Sequence, residues 1–406
     1  MKRAAALVLV AIVAFTSACT ASRQPYVVDE ATREAIAQIT KAVAENPTHQ
    51  PLIYILATQH DKARDSAGVV KWLTRLDELG WDYGVAAAGF RNTNTRAFRA
   101  IAAKLDARVP RVANAETAFT LANQRDLVPE GIAYDPVDDV FYVSGIYRRK
   151  VLRVARDGRT TDFVAEGQDG MLGGLGMKVD ATRRLLWVIS STTPEMRGWK
   201  KGEERSMLAA YDLRDGHLVR TIETSGGMLN DLTLLADGSL FATDMGSHSV
   251  VRLAPGATTL EFWAKDFAYP NGIAASEDER ALYVADFRGI TRFDLADQSR
   301  TRIESKSFLG GIDGLSMHRG KLIGIQNTTG KARVIRVDPA NGNVEILESG
   351  NRLFEIPTTG ALAGDHYYFI ANPGLRSFHE DHTIWPMEKL EDPVMLRIAI
   401  QGEETI

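Results

Sequence analysis

From residue 129 onward, apolar residues fall in short alternating runs separated by Gly, Asp, Asn or Pro, the pattern of short strands joined by tight turns. The clearest unit begins at Tyr269-Pro270-Asn271-Gly272-Ile273-Ala274. A turn at Ser276-Glu277-Asp278-Glu279 follows, then an apolar run Ala281–Asp286 and a second run ending Thr291-Arg292-Phe293-Asp294. The opening phrase returns along the chain with a different residue in the slot before Gly-aliphatic. The slot holds Glu130 in Pro129-Glu130-Gly131-Ile132, Gly173 in Gly173-Gly174-Leu175 and Asn230 in Asn230-Asp231-Leu232. After Asn271 come Asp313 in Asp313-Gly314-Leu315 and Thr359 in Thr359-Gly360-Ala361. A repeat of about forty residues made of short strands predicts a β-propeller, and six starts predict six blades.

The ring has to close. The last blade runs out of chain after Ile400, one strand short, whereas Glu116–Leu121 alternates just ahead of the first blade and has no other partner. This segment is therefore expected to supply the missing outer strand, which removes the exposed edges. Blade two carries a polar, Gly-containing stretch from Thr192 to Ser206, an insertion that would project from one face of the ring, either as a lid or as surface elaboration.

Ahead of the propeller, between residues 29 and 108, the period is helical. Ala35, Ile36, Ile39, Ala42 and Val43 share one face of a helix closed by Asn46-Pro47. Leu52, Ile53, Ile55 and Leu56 mark a second helix. Val69, Trp72, Leu73 and Leu76 mark a third, ending at Gly80, and Phe98, Ile101 and Leu105 a fourth after Asn94-Thr95. The pair from Pro51 to Gly80 resembles a tetratricopeptide-type helical hairpin, through Tyr54, Leu56-Ala57 and Leu79-Gly80-Trp81. A single such hairpin cannot bury its own face, so it either caps other elements or docks a protein partner.

The first residues read as a targeting segment. Lys2-Arg3 precede the apolar run Ala4–Phe15, which is too short to span a bilayer, and Thr16-Ser17-Ala18 lead into Cys19, the only cysteine. This resembles a bacterial lipoprotein signal. The expectation is a signal peptide over 1–18, a lipid on Cys19, a polar tether over 19–28, the helical segment over 29–108 and the propeller over 115–400. The protein would then be exported to the bacterial cell envelope and held at a membrane by its lipid anchor. A mature chain without thiols would rely on core and ladder rather than disulfides. The formal net charge of −4 and the lack of a dense Lys/Arg cluster give no electrostatic reason to expect nucleic acid.

Equivalent slots in successive blades stand at one height around the central channel, so Glu130, Asn230, Asn271 and Asp313 are expected to converge. Two carboxylates and two amides, without His or Cys, form a set of hard oxygen donors suited to Ca²⁺, Mg²⁺ or Mn²⁺ rather than Zn²⁺. Two facing carboxylates would raise each other's pKa unless a cation lay between them. Asp231, Asp244 and Asp286, at strand starts or ends, could support such a centre or simply cap turns.

Over residues 125–400 the sequence resembles the senescence marker protein/gluconolactonase/luciferin-regenerating enzyme family of six-bladed calcium-dependent lactonases. Pro129-Glu130-Gly131, Asn230-Asp231, Pro270-Asn271-Gly272 and Asp313-Gly314 are similar, in blade order, to that family's Glu, Asn, Asn and Asp metal ligands. The resemblance implies a small-molecule lactone or ester as substrate and Asp313 as general base. It stops short of sugar lactones. Met228 stands where those enzymes carry Arg two residues before the first Asn, and Leu232-Thr233-Leu234-Leu235 replaces their Gly-Lys-x-Asp. The alternative on sequence grounds is a non-catalytic envelope protein, its propeller a binding platform and its helices an adaptor.

Overall fold

The computed structural model describes residues 27–86, 89–327, 330–379 and 381–400. The expected signal peptide, Cys19 and all but the end of the tether lie outside these residues. Among the described residues no helix is long and apolar enough to cross a membrane. The structure divides into two compact units, one made mainly of the helical residues up to Arg111 and the other mainly of the propeller residues from Val112 onward.

The helical unit has helices α1 (Glu30–Glu45), α2 (Gln50–Lys62), α3 (Ser66–Glu78) and α4 (Arg96–Asp106). Each starts where a side chain satisfies a free N–H of the first turn. Asp29 accepts from Thr32, Asp65 from Gly68 and Thr95 from Phe98. Tyr54 on α2 stacks on Trp81 at 5.4 Å and meets Phe90 edge-on at 5.7 Å, so the aromatic tokens seen in the sequence are the centre of this unit's core.

The propeller consists of six four-stranded antiparallel sheets. Blade one is β2 (Pro129–Asp135), β3 (Val140–Gly145), β4 (Lys150–Val154) and β5 (Thr160–Val164). Blade two is β6 (Gly173–Asp180), β7 (Leu185–Ser191), β8 (Arg205–Asp212) and β9 (Leu218–Ser225). Blade three is β10 (Leu229–Leu234), β11 (Leu240–Asp244), β12 (Ser249–Leu253) and β13 (Glu261–Ala264). Blade four is β14 (Ile273–Ala275), β15 (Ala281–Asp286), β16 (Gly289–Asp294) and β17 (Arg300–Arg302). Blade five is β18 (Ile312–His318), β19 (Lys321–Gln326), β20 (Arg333–Val337) and β21 (Val344–Ser349). Blade six takes β22 (Gly360–Ala363), β23 (His366–Ile370) and β24 (Val394–Ala399) from the end of the chain and β1 (Glu116–Thr120) from before blade one. Strand β1 pairs with β24 from Glu116↔Arg397 to Thr120↔Val394. Phe119 and Leu121 then lie in an apolar cluster with Phe141 of blade one and Tyr368 and Met395 of blade six, so the seam is a packed core as well as a ladder.

The second strand of a blade carries the burial and the outermost strand the polarity. Every residue of β3, β11 and β15 is buried, whereas β5 and β13 are mostly exposed or half-buried. A β-bulge recurs at the start of the inner strand. Glu130-Gly131 together face a single position of β3, Asn230-Asp231 a single position of β11, and Asp313-Gly314 a single position of β19. Such a bulge re-aims the side chain that carries it.

This register corrects two of the repeat slots. In blade two the bulge falls between Gly174 and Met177, so the residue equivalent to Glu130 is Leu175 and not Gly173. In blade six Ile370 N–H donates to Thr359, which therefore matches the glycine position, and the slot belongs to Thr358. Both phrases are ambiguous in the sequence, since Gly173-Gly174-Leu175-Gly176 and Thr358-Thr359-Gly360 each offer two placements. The extra bulge residue decides between them.

Candidate metal and catalytic site

The slot residues meet because adjacent inner strands approach closely at the bulge. A Cβ on Gly131 would fall 2.1 Å from the carbonyl oxygen of Leu175, and one on Gly272 would fall 2.4 Å from that of Asp313. Only glycine allows this approach of backbone to backbone. Between blades six and one the contact is polar instead: the hydroxyls of Thr358 and Thr359 donate to the Glu130 carbonyl at 2.9 and 2.6 Å. Blade three has Asp231 at the glycine position. Its carboxylate accepts from Leu232 N–H at 2.8 Å and from Ile273 N–H of blade four at 3.5 Å, replacing the close approach by a side-chain bridge.

Glu130, Asn230 and Asp313 are buried and Asn271 is half-buried. Glu130 Oε2, Asn230 Oδ1 and Asn271 Oδ1 are three buried acceptors, from three blades, that have no hydrogen-bond partner. Leaving a buried acceptor unpaired costs about 1–3 kcal/mol, and three in one repeat position are the mark of a site completed by something else. The amide nitrogen of Asn230 donates to Met245 Sδ at 2.8 Å, which fixes the amide with its oxygen left over. Asp313 Oδ2 accepts from Asn327 Nδ2 at 2.5 Å, and the Asn271 side chain donates to the same carboxylate. Asn327 also donates to the Pro357 carbonyl at 2.7 Å, so it is braced against blade six while it holds Asp313.

The electrostatics of the ring are unfavourable as it stands. Burial pushes the Glu130 carboxyl well above its ordinary value, and the charges of Asp313 and Asp231 push it the same way. Burial raises Asp313 to about 6, opposed by the hydrogen bonds from Asn327 and Asn271, with Asp231 adding to the rise. Asp231 is raised by burial too, opposed by Lys178 and by the backbone N–H groups of Leu232 and Ile273. A divalent cation would relieve all three at once.

Among the described residues no group of three or more His, Cys, Asp or Glu side chains could hold a metal. The ring does not need one. Its donors are two carboxylates and two amide oxygens, and amide carbonyls are ordinary ligands of hard cations. The unpaired acceptors of Glu130, Asn230 and Asn271, with the Asp313 carboxylate, have the chemistry that such an ion requires.

Of the three other aspartates, only Asp231 belongs here. Asp244 accepts from the backbone N–H groups of Met228, Gly246 and Ser247, and Asp286 from those of Ala268 and Arg288, so both stabilise turns. Sequence reasoning missed Asn327. The available signal was a polar residue directly after the second strand of blade five, at the end where the slots lie.

Comparison with known proteins agrees with this architecture. The family model for the SMP-30/Gluconolactonase/LRE-like region matches residues 128–367. A gluconolactonase from Xanthomonas campestris is 20% identical, with a TM-score of 0.50 over 71% of this chain and 91% of that one. A calcium-binding protein, regucalcin, from Agrobacterium tumefaciens is 17% identical, with a TM-score of 0.50 over 71% of this chain and 93% of that one. At these identities the likeness is one of fold. No curated protein matches the sequence. The family match spans the inner strands of all six blades and the four slot residues, and the chain belongs to the SMP-30/gluconolactonase/LRE-like family.

Proposed function

We propose that this protein is a metal-dependent hydrolase that opens a lactone or cleaves an ester, with Glu130, Asn230, Asn271 and Asp313 holding one divalent ion, Ca²⁺ before Mg²⁺ or Mn²⁺. The observation that carries this reading is the set of three buried, unpartnered oxygens beside Asp313. Family membership supports the reaction class. Such an ion, when bound, supplies Lewis-acid polarisation of the substrate carbonyl. The chain supplies the rest. Asp313 accepts the proton of the attacking water, and Asn327 and Asn271 fix its carboxylate in one orientation while they stabilise its charge. Gly272 lets the blade-four backbone come close to the Asp313 carbonyl, where any Cβ would clash. The reading extends to location: Cys19 carries a lipid, and the enzyme works at the cell envelope.

The test is Asp313→Asn on a substrate found by screening lactones and aryl esters. Asn keeps the shape and one oxygen donor but cannot take the proton. Turnover at saturating metal should fall by about 10²–10⁴-fold, and further metal should not restore it. Parent-like turnover would reduce Asp313 to a ligand and defeat the mechanism. A parent chain inert across the panel would favour the binding-platform alternative.

A further inference from the structure

Two long loops leave the ring at the same end as the slot residues. One runs from Thr192 to Glu204, between β7 and β8 of blade two, and the other lies between β23 and β24 of blade six. Their starting points fix the direction. Ser191, the last residue of β7, pairs with Gly173, two residues before the slot residue Leu175, and Ile370 at the end of β23 donates to Thr359.

Over this end the two loops join. Trp199 of blade two packs edge-on against His382 of blade six at 4.8 Å, and Phe378 meets Tyr147 of blade one at 6.0 Å. Met196 Sδ accepts from Gly173 N–H at 3.1 Å, tying the first loop to the inner strand of its own blade. Leu175, Met196 and Phe378 belong to one apolar cluster, with Tyr147 and Trp199 packed against it. The slot of blade two is thus apolar, and it is continuous with the apolar faces of both loops.

Two charged groups here, Arg197 and Glu355, are engaged within the protein, and a third, the half-buried Glu195, has its carboxyl pushed up by burial toward the neutral form. Arg197 pairs with Glu166 at 2.9 Å and with Asp126 at 3.3 Å, its guanidinium over the Tyr147 ring. Glu355 accepts from the backbone N–H groups of Gly374 and Arg376. On the blade-three side stand two half-buried thioethers, Met228 and Met245. A polyhydroxylated lactone entering between these walls would lose water from each hydroxyl with few partners in return.

We propose that the blade-two and blade-six loops, with Trp199 as principal contact backed by the buried Phe378, form an apolar specificity wall beside the metal ring, and that the substrate is a lactone or ester bearing an aliphatic or aromatic substituent. This rests on the hydrolase reading for the reaction and on the wall alone for the ligand class. With the purified full chain and saturating Ca²⁺, kcat/KM for an alkyl-substituted δ-lactone should exceed that for an aldonolactone by about 10²-fold. Trp199→Ala should lower the ratio of substituted to unsubstituted δ-lactone about tenfold, mainly through KM, and Trp199→Phe should restore most of it. An aldonolactone turned over as well as the alkyl lactone, or a ratio unmoved in Trp199→Ala and Phe378→Ala, would overturn the inference and leave the hydrolase reading intact. Should no lactone or ester be hydrolysed, an alkyl-substituted δ-lactam, which has the shape without the labile bond, replaces them in a fluorescence titration. Binding that is lost in Trp199→Ala but kept in Trp199→Phe upholds the ligand class while the hydrolase reading fails; no binding, or binding indifferent to residue 199, ends both.

Discussion

Asp313 sits in a bulge that aims its carboxylate at the ring, is gripped by Asn327 and Asn271, and is buried with Glu130 and Asp231 nearby. The consequence for the metal-free chain has a definite sign. The folded value is about 6, above an ordinary 3.8, so the native state holds this proton more tightly than the unfolded chain does. The stabilising contribution is present below the unfolded value and is lost as pH rises through about 6. Glu130 is displaced in the same direction. In chelator, thermal unfolding should therefore place the parent below Asp313→Asn at pH 7.5, and the gap should close as pH falls through 6 toward 4.5. Saturating Ca²⁺ should abolish this trend. A gap that widens on acidification would mean that Asp313 is not a buried, uncompensated carboxylate. The sequence reveals Glu130, Asn230, Asn271 and Asp313 because they share a repeat position. It does not reveal Asn327, whose role depends on the end of one strand meeting a slot residue in the same blade.

At the scale of elements, hydropathy makes the blades legible because each inner strand is a short apolar run between turn residues. The outer strand of blade six is legible for a topological reason, since a closed ring leaves Glu116–Thr120 only one place to pair. Slots in blades two and six were not, because a bulge adds a residue and repeated glycines or threonines hide where it falls. The apolar meeting of two loops far apart in the chain, Trp199 on His382, leaves no periodic trace at all. Closure has an energetic test. Phe119 is buried on β1 and packs on Phe141 at 5.5 Å across the seam. Phe119→Ala should destabilise the propeller by about 3–5 kcal/mol in urea unfolding. A loss below 1 kcal/mol would mean that the seam is not a structural core.

At the scale of the whole molecule, the lipid proposed on Cys19 has its own test. Cys19→Ser should leave unprocessed precursor and no incorporation of a tagged fatty acid; a lipid-free N-terminus at another residue in the parent would reduce the leader to a plain secretory signal. In the ring, oxygens from blades one, three and four lie buried without partners beside the Asp313 carboxylate of blade five. Calorimetric titration of the chelator-stripped chain with Ca²⁺ measures directly whether they hold a cation. The parent should bind one ion per chain at a tight site, and Glu130→Gln combined with Asn271→Ala should remove that site while the far-ultraviolet spectrum of the propeller is kept. Tight one-to-one binding that survives the double substitution, or a folded parent that binds no divalent ion, would contradict the account.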